Sequence, residues 1–151
     1  MTVQLFTPAW AEAVRVAVDA EPDDELRAGK LPTYWEWIER ARDGYAASWA
    51  LTDPARSAHL LLEWKDGRCV AASLVDAEQA ARATYALSAN REAWRDLLAG
   101  ADAGRLLMTR KFALQRGNVL QFFRGVYFVV EALGAIGRVP ATVDNDVVAA
   151  C

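Results

Sequence analysis

Residues 94–130 read WRDLLAGADAGRLLMTRKFALQRGNVLQFFRGVYFVV, and the last third of this stretch is more apolar than a surface helix needs to be. From Val119 to Ile136, charged or amide side chains occur only at Gln121, Arg124 and Glu131. Spacings of three and seven residues put these three side chains on one narrow stripe of a helix. We therefore expect the rest of the helix surface to be covered, either by a packed core or by an apolar cavity.

The composition is that of one globular domain. The 151 residues carry a net charge of −3 and are 54% hydrophobic, with six tryptophans. A chain of this length buries a sizeable core without disulfides or metal ions. The negative charge and the lack of a Lys/Arg run argue against a nucleic-acid partner. We predict a single domain over residues 1–138, made of an N-terminal helix and cover segment (1–44) and a sheet–helix core (45–138), followed by a C-terminal tail (139–151).

The cysteines and the N-terminal sequence indicate the cellular compartment in which the protein is expected. Cys69 and Cys151 are too few to form a disulfide framework. The first residues, MTVQLFTPAW, lack a basic region followed by an apolar run and a cleavage site. The apolar run 119–136 is barely long enough for a bilayer and would carry Arg124 and Glu131 into it. We therefore expect a cytoplasmic protein without a transmembrane helix.

Cationic side chains cluster around the apolar region, at Arg105, Arg110, Lys111, Arg116 and Arg124. A solvated surface is the ordinary interpretation of such a pattern. The alternative is a positive rim that binds the carboxylate or phosphate headgroup of a ligand.

Apolar periodicity and capping residues predict the helices. Thr7 and Pro8 form a good helix start, so a first helix is expected over Pro8–Ala20. Residues 25–43 are expected to form a short helix or an irregular cover. Later helices are predicted over Arg91–Ala99 (capped by Ser88 or Asn90), Ala103–Met108 and Val119–Ile136.

Alternating apolar residues predict strands at 45–52, 57–64, 68–75, 81–88 and 110–116. The short connectors between the first four predict an antiparallel meander. The Lys65–Gly67 turn allows two registers. A two-residue loop pairs Trp64 with Cys69. A three-residue loop, with Gly67 in the left-handed conformation of a bulge, is favoured here because it gathers five apolar residues on one face: Leu60, Leu62, Val70, Ala72 and Leu74.

The motifs of catalysis are missing. His59 is the only histidine, and strand alternation puts it on the face of Glu63 and Lys65, away from the proposed interior. No glycine-rich phosphate loop, nucleophile elbow or paired-cysteine motif occurs. The adjacent Asp23 and Asp24 lie in a polar segment where nothing predicts burial. We therefore expect a binding protein with no metal ion or cofactor rather than an enzyme.

Two runs, TYALSANREAWRDLLAG (84–100) and RLLMTRKFALQRGNVLQFF (105–123), resemble the sterol carrier protein-2 (SCP-2) family of lipid-binding domains. In that family a strand leads into a helix that bears an aromatic and ends at Gly. A short helix then reaches a strand of the form GK-apolar-x-apolar-x-GD. Residues 110–118 are similar to this element, with Arg110 in place of the usual Gly and Asn118 in place of the usual Asp. The WKDG hairpin resembles the family's central turn, and the first helix resembles that of bacterial single-domain members.

The resemblance covers about residues 45–136 and implies an α+β fold. About five mostly antiparallel strands would form a sheet covered on one face by helices, with an apolar tunnel between the layers. It also implies non-enzymatic binding, and possible transfer, of a fatty acyl chain or sterol. The residues implied to line and close the tunnel are Leu60, Leu62, Tyr85, Leu87, Trp94, Leu97, Leu98, Met108, Phe112, Leu114, Phe122, Phe123, Val126, Tyr127 and Val130.

Two alternatives stand beside this interpretation. The same side chains could fill the interior, since apolar residues at strand and helix spacing are usually core. The fold could also serve as a dimerisation or accessory module for an enzyme partner, a hypothesis motivated by Trp35, Trp37 and the apolar stretch 143–148, all of which look exposed. A small hydrolase or isomerase would need a buried acid, base or nucleophile that the sequence does not indicate.

Overall fold

A computed structural model describes residues 3–20 and 22–142 of the chain, which form both strands and helices. The strands are β1 (Val3–Gln4), β2 (Ala47–Asp53), β3 (Ala58–Lys65), β4 (Arg68–Val75), β5 (Tyr85–Ser88), β6 (Ala113–Arg116) and β7 (Ala141–Thr142). The helices are α1 (Pro8–Asp19), α2 (Asp24–Ala28), α3 (Pro32–Arg42), α4 (Ala77–Ala80), α5 (Arg91–Leu98), α6 (Ala103–Met108), α7 (Val119–Arg124) and α8 (Val126–Arg138), and a 3-10 turn spans Pro54–Arg56.

Five strands form one mixed sheet in the order β4–β3–β2–β5–β6, and β1 pairs with β7 in parallel. All neighbours in the larger sheet are antiparallel except β2 and β5. The predicted α+β class with five mostly antiparallel strands is therefore confirmed. Residues 141 and 142, which fall in the predicted tail, form β7, and Val139 of the same tail is buried in the core; residues 143–151 lie outside the described residues.

The predicted meander is wrong at β5, which pairs in parallel with β2 instead of following β4 to the sheet edge. The connector contains α4, whose start is a capping box between Asp76 and Gln79. Ala80 and Ala83 pack against Ala50 on the sheet face opposite the main core. Parallel neighbouring strands need a crossover connection. Residues 76–84, predicted as a turn and the start of a strand, form this crossover, and only Tyr85–Ser88 is extended.

The β3–β4 hairpin has a two-residue loop followed by a bulge. Its loop has two residues, because Asp66 and Gly67 both have positive φ (51° and 77°) and Trp64 lies opposite Cys69. The favoured three-residue loop is therefore wrong. A bulge beside Trp64 then shifts the register by one residue, so that Leu62 faces Ala72 and Leu60 faces Leu74, and these four residues share one face. Val70 does not join this face and is exposed.

Helix α1 begins at Pro8, where the Thr7 hydroxyl accepts a hydrogen bond from Trp10 N at 3.3 Å. The segment predicted as a short helix or irregular cover forms α2 and α3. The expectation that Trp35 is exposed is wrong: its ring is buried and its Nε1 donates to Arg27 O at 3.0 Å. Trp37 is exposed, as expected.

The predicted single helix over 119–136 is interrupted at Gly125, where α7 ends and α8 begins. Helix α8 buries one face against the body of the protein, including Phe128, Leu133 and Ile136. Helix α7 buries only Phe122. The expectation that everything outside the polar stripe is covered is therefore wrong for α7, because a six-residue helix anchored by one ring leaves its other side chains in solvent.

Candidate functional site

The main core lies between one face of the large sheet and the helices, and eight of the fifteen predicted lining residues belong to it. Leucines of β3 and β5 form the sheet side, and residues of α5, α7 and the chain before β6 form the other side. The eight buried residues are Leu60, Leu62, Tyr85, Leu87, Trp94, Leu97, Phe112 and Phe122. The sequence therefore identified a group of side chains that the fold brings to one interior.

Ring contacts join these layers. Trp94 of α5 meets Phe112 edge to face, with 4.9 Å between ring centroids. Tyr85 of β5 meets Phe122 of α7 in the same manner at 5.3 Å. The backbone at residue 117 lies against the Tyr85 ring, which requires glycine, since a Cβ there would lie 2.5 Å from that ring and φ is +119°.

The other seven predicted residues lie nearer the surface. Leu98, Leu114, Val126 and Val130 are half-buried against the core. Met108, Phe123 and Tyr127 are exposed. Met108 is the last residue of α6, and Phe123 and Tyr127 flank the interruption at Gly125. In this conformation these three side chains face outward, so they do not line the interior.

Three indole N–H groups in the core have no hydrogen-bond acceptor among the described residues: Trp10, Trp64 and Trp94. The other two buried indoles are paired, because Trp49 donates to Tyr45 Oη at 2.9 Å and Trp35 donates to a backbone carbonyl. Buried indole N–H groups usually have an acceptor. Sequence patterns do not indicate which indoles are left unpaired.

Trp10 and Trp94 lie together at one end of this interior. Their ring centroids are 5.9 Å apart, and Phe6 contacts both rings. Trp10 comes from α1 and Trp94 from α5, so the two unpaired donors approach the core from different helices. Trp64 lies elsewhere, against Trp49 and Phe128.

A second feature is an open cleft of about 1810 Å3 between α1 and the α2–α3 segment, with α8 along one side. Small side chains create the space: Ala9, Ala13 and Ala17 lie on α1 at intervals of four residues, and Ala132 and Ala135 lie on α8. None of the fifteen predicted residues lines it. The alanine spacing on α1 was the available sequence signal for this cleft. Its charged lining residues include Glu12, Glu39, Arg40, Arg42 and Arg138.

Three side chains near the core have raised pKa values. Burial, reinforced by the hydrogen bond to Glu131, raises the pKa of the Tyr34 hydroxyl far above its ordinary value. Burial raises the pKa of Tyr45 to about 12 and that of the Cys69 thiol to about 11. All three groups therefore remain protonated at neutral pH and serve as neutral parts of the packing.

The described residues offer few groups for catalysis or metal binding. His59 contacts the Thr52 hydroxyl through Nδ1 at 2.8 Å on the sheet face opposite Leu60 and Leu62, as strand alternation predicts. Within residues 3–20 and 22–142, no group of three or more His, Cys, Asp or Glu side chains could hold a metal ion. No helix in the same ranges has the length and apolarity to cross a membrane.

Comparison with solved structures identifies the fold. A crystal structure of sterol carrier protein 2 superposes with a TM-score of 0.67 at 22% identity, covering 90% of this chain and 99% of the other. A solution structure of a conserved hypothetical protein from Thermus thermophilus, whose description suggests a sterol carrier protein, gives 0.63 at 18% identity, with 93% and 92% coverage. No family model and no curated protein matches the sequence. The chain has the SCP-2 fold, which confirms the predicted resemblance at that level.

Proposed function

We propose that this protein binds an apolar lipid, either a fatty acyl chain or a sterol-like molecule, between its sheet and its helices and carries it without a chemical step. The fold supports this, because the first of the two similar structures is named for carrying sterols. The predicted lining residues also support it, since the set is almost wholly aromatic and aliphatic. Apolar surface removed from water stabilises a complex by about 25 cal/mol per Å2.

The observation that carries the proposal is the pair of unpaired indole donors, Trp10 and Trp94. An indole N–H can only donate, so each lacks a partner that a carboxyl, ester or hydroxyl oxygen of a ligand would supply. We therefore propose that the polar end of the lipid lies beside Trp94. Its apolar part would extend toward Leu87 and Phe112, with Val126 and Val130 closing the far side.

Displacement of a fluorescent fatty acid, together with native mass spectrometry, tests this proposal. Trp94→Phe removes the N–H and keeps an aromatic ring. One hydrogen bond contributes about 0.5–1.5 kcal/mol, so affinity should fall roughly two- to tenfold. Trp37→Phe is the matched control, because that ring is exposed, and it should leave affinity unchanged. Absence of saturable probe binding and of co-purifying lipid would contradict the proposal.

The open cleft provides a second position for the ligand, and a separate variant distinguishes the two. Ala9→Phe puts a ring into the cleft at an exposed position that does not belong to the core around Trp94. The interior proposal predicts unchanged probe affinity in Ala9→Phe. Loss of binding in Ala9→Phe, with normal binding in Trp94→Phe, would place the ligand in the cleft instead.

A further inference from the structure

The segment from Ala103 to Val130 contains no aspartate or glutamate but has five cationic residues, in a chain whose net charge is −3. All five are exposed, including the four arginines Arg105, Arg110, Arg116 and Arg124. Within residues 3–20 and 22–142 none of these four forms an ion pair. Lys111 makes only a long contact with Asp96, at 3.7 Å. A strong local positive charge is therefore available to an anionic partner.

Large apolar side chains are exposed in the same segment. On α7, Val119 is 57%, Leu120 78% and Phe123 43% exposed, and Met108 at the end of α6 is 75% exposed. Side chains of this size cost free energy in water, and a cluster of them marks an interaction surface rather than ordinary surface composition. Helix α7 therefore presents an apolar surface that no other part of the described chain covers.

The apolar surface continues onto α3. Tyr127, just after the interruption at Gly125, packs against Trp37 with 6.2 Å between centroids and against Tyr34 at 5.0 Å. The Lys30 ammonium lies 4.5 Å from the centroid of the Tyr34 ring. Aromatic rings with polar edges and cations beside them have the composition of a bilayer interface, where rings lie at the headgroup level and cations contact phosphates.

We propose that this surface, formed by the end of α6, by α7 and by the exposed aromatics of α3 and α8, docks onto an anionic lipid bilayer. Unpaired arginines match the negative surface charge of such a membrane, and Leu120 and Phe123 enter the boundary between headgroups and acyl chains. A nucleic-acid partner would use the cations but not the aliphatic side chains of α7. The docking surface lies where Phe122 of α7 covers the interior, so it would bring the interior close to the bilayer.

The test is co-flotation of the full-length protein with vesicles, which requires no ligand inside the protein. Failure of this proposal is therefore distinguishable from failure of lipid binding in the interior. Vesicles of phosphatidylcholine mixed with phosphatidylglycerol should bind the protein, and phosphatidylcholine vesicles should bind much less. Binding to the mixed vesicles should weaken as salt is raised, because exposed charges are screened.

Two matched pairs of variants separate the apolar and the charged contributions. Leu120→Ser should weaken vesicle binding by about tenfold or more, from the lost burial of one leucine. Val70→Ser, at an exposed valine on β4 outside this surface, should not change it. Arg124→Gln should weaken binding roughly fivefold. Arg82→Gln, at an exposed arginine paired with Glu78, should have no effect. Thermal unfolding by circular dichroism checks that each variant folds.

Three results would overturn the proposal. The first is equal binding to neutral and anionic vesicles, or to neither. The second is equal loss of binding in Leu120→Ser and Val70→Ser. The third is self-association through α7, seen as a dimer by light scattering that Leu120→Ser dissociates while vesicle binding is absent.

Discussion

The hydroxyl of Tyr34 donates a 2.6 Å hydrogen bond to Oε2 of Glu131 and so joins α3 to α8 at the edge of the open cleft. The tyrosine ring also packs on Trp35 and Tyr127, so the bond is held in a rigid aromatic setting. This pair is therefore a direct hydrogen bond between two helices that also meet through the Arg42 guanidinium over the Phe128 ring.

Tyr34→Phe keeps the ring and removes this bond. A hydrogen bond to a carboxylate contributes about 1.5–3 kcal/mol, so the free energy of unfolding should fall by about that amount. Urea unfolding of Tyr34→Phe, Glu131→Ala and the double variant measures the coupling between the two residues. Additive losses, with no coupling energy, would contradict a direct interaction.

Gly137 of α8 determines how closely α8 approaches α5. A Cβ at this position would lie 2.6 Å from the carbonyl oxygen of Leu97 and 3.0 Å from its Cγ. Gly137→Ala should therefore destabilise the protein by about 1–3 kcal/mol, since backbone must move. Gly134→Ala on the same helix is the control. Its Cβ would meet only the end of the Arg138 side chain, at 3.4 Å, so the higher helix propensity of alanine should stabilise it by about 0.5–1 kcal/mol. Equal thermal midpoints in the two variants would contradict the close approach.

Asp19, the last residue of α1, binds the β3–β4 hairpin. Its Oδ1 accepts from Cys69 N at 2.9 Å, and its Oδ2 accepts from Arg68 Nε at 3.2 Å. Asp19→Ala leaves a buried amide without a partner and should cost about 1–3 kcal/mol. Glu12→Ala breaks an exposed ion pair with Arg15 on the same helix and should cost much less than the loss of Asp19. Chemical denaturation of both variants tests the difference, and a larger loss in Glu12→Ala would contradict it.

Local signals predicted the features that local contacts determine. Thr7 was expected to cap α1, and Ser88 or Asn90 to cap α5. Thr7 and Asn90 do so, because a capping side chain binds an amide only three residues ahead. The two-residue Asp66-Gly67 turn was one of the two loops that the sequence allowed but not the favoured one. The bulge beside this turn lies where Asp19 binds the Cys69 amide. That contact spans 50 positions of the sequence, which no turn rule can include.

The packing of segments that are distant in the sequence could not be predicted from local signals. The parallel pairing of β5 with β2 depends on Ala80 and Ala83 fitting against Ala50, and short connectors alone favoured a meander. Periodicity identified the apolar content of 119–136 correctly, yet it could not indicate that α7 leaves Leu120 and Phe123 in solvent. For the candidate site, the buried leucines and rings were predictable from alternation. The unpaired state of the Trp10 and Trp94 indoles depends on which acceptors the folded chain supplies.

The Cys69 thiol should be unreactive in the folded protein. Cys69 is 1% exposed, and burial raises its pKa to about 11, so at pH 8 the thiolate fraction is roughly 200-fold lower than that of a free cysteine. In a Cys151→Ser background, a thiol-specific chromogenic reagent should react with Cys69 only after denaturant is added. Fast reaction in native buffer would contradict the buried environment.

The same raised pKa predicts an alkaline loss of stability. The folded state keeps the Cys69 proton up to about pH 11, whereas the unfolded chain releases it near about 8.5. Stability from this group is therefore complete below about pH 8.5 and falls as pH rises toward 11, by at most ~1.4 kcal/mol per pH unit. Urea unfolding between pH 8 and 10 should show this decline in the wild type and a flatter profile in Cys69→Ala. Tyr45, whose pKa is raised to about 12, adds a loss of its own once an unfolded tyrosine titrates near about 10, but it does so equally in both proteins. If the pH profiles of stability were identical in the wild type and Cys69→Ala, the Cys69 thiol would have the same pKa in the folded and the unfolded protein, which would contradict the prediction.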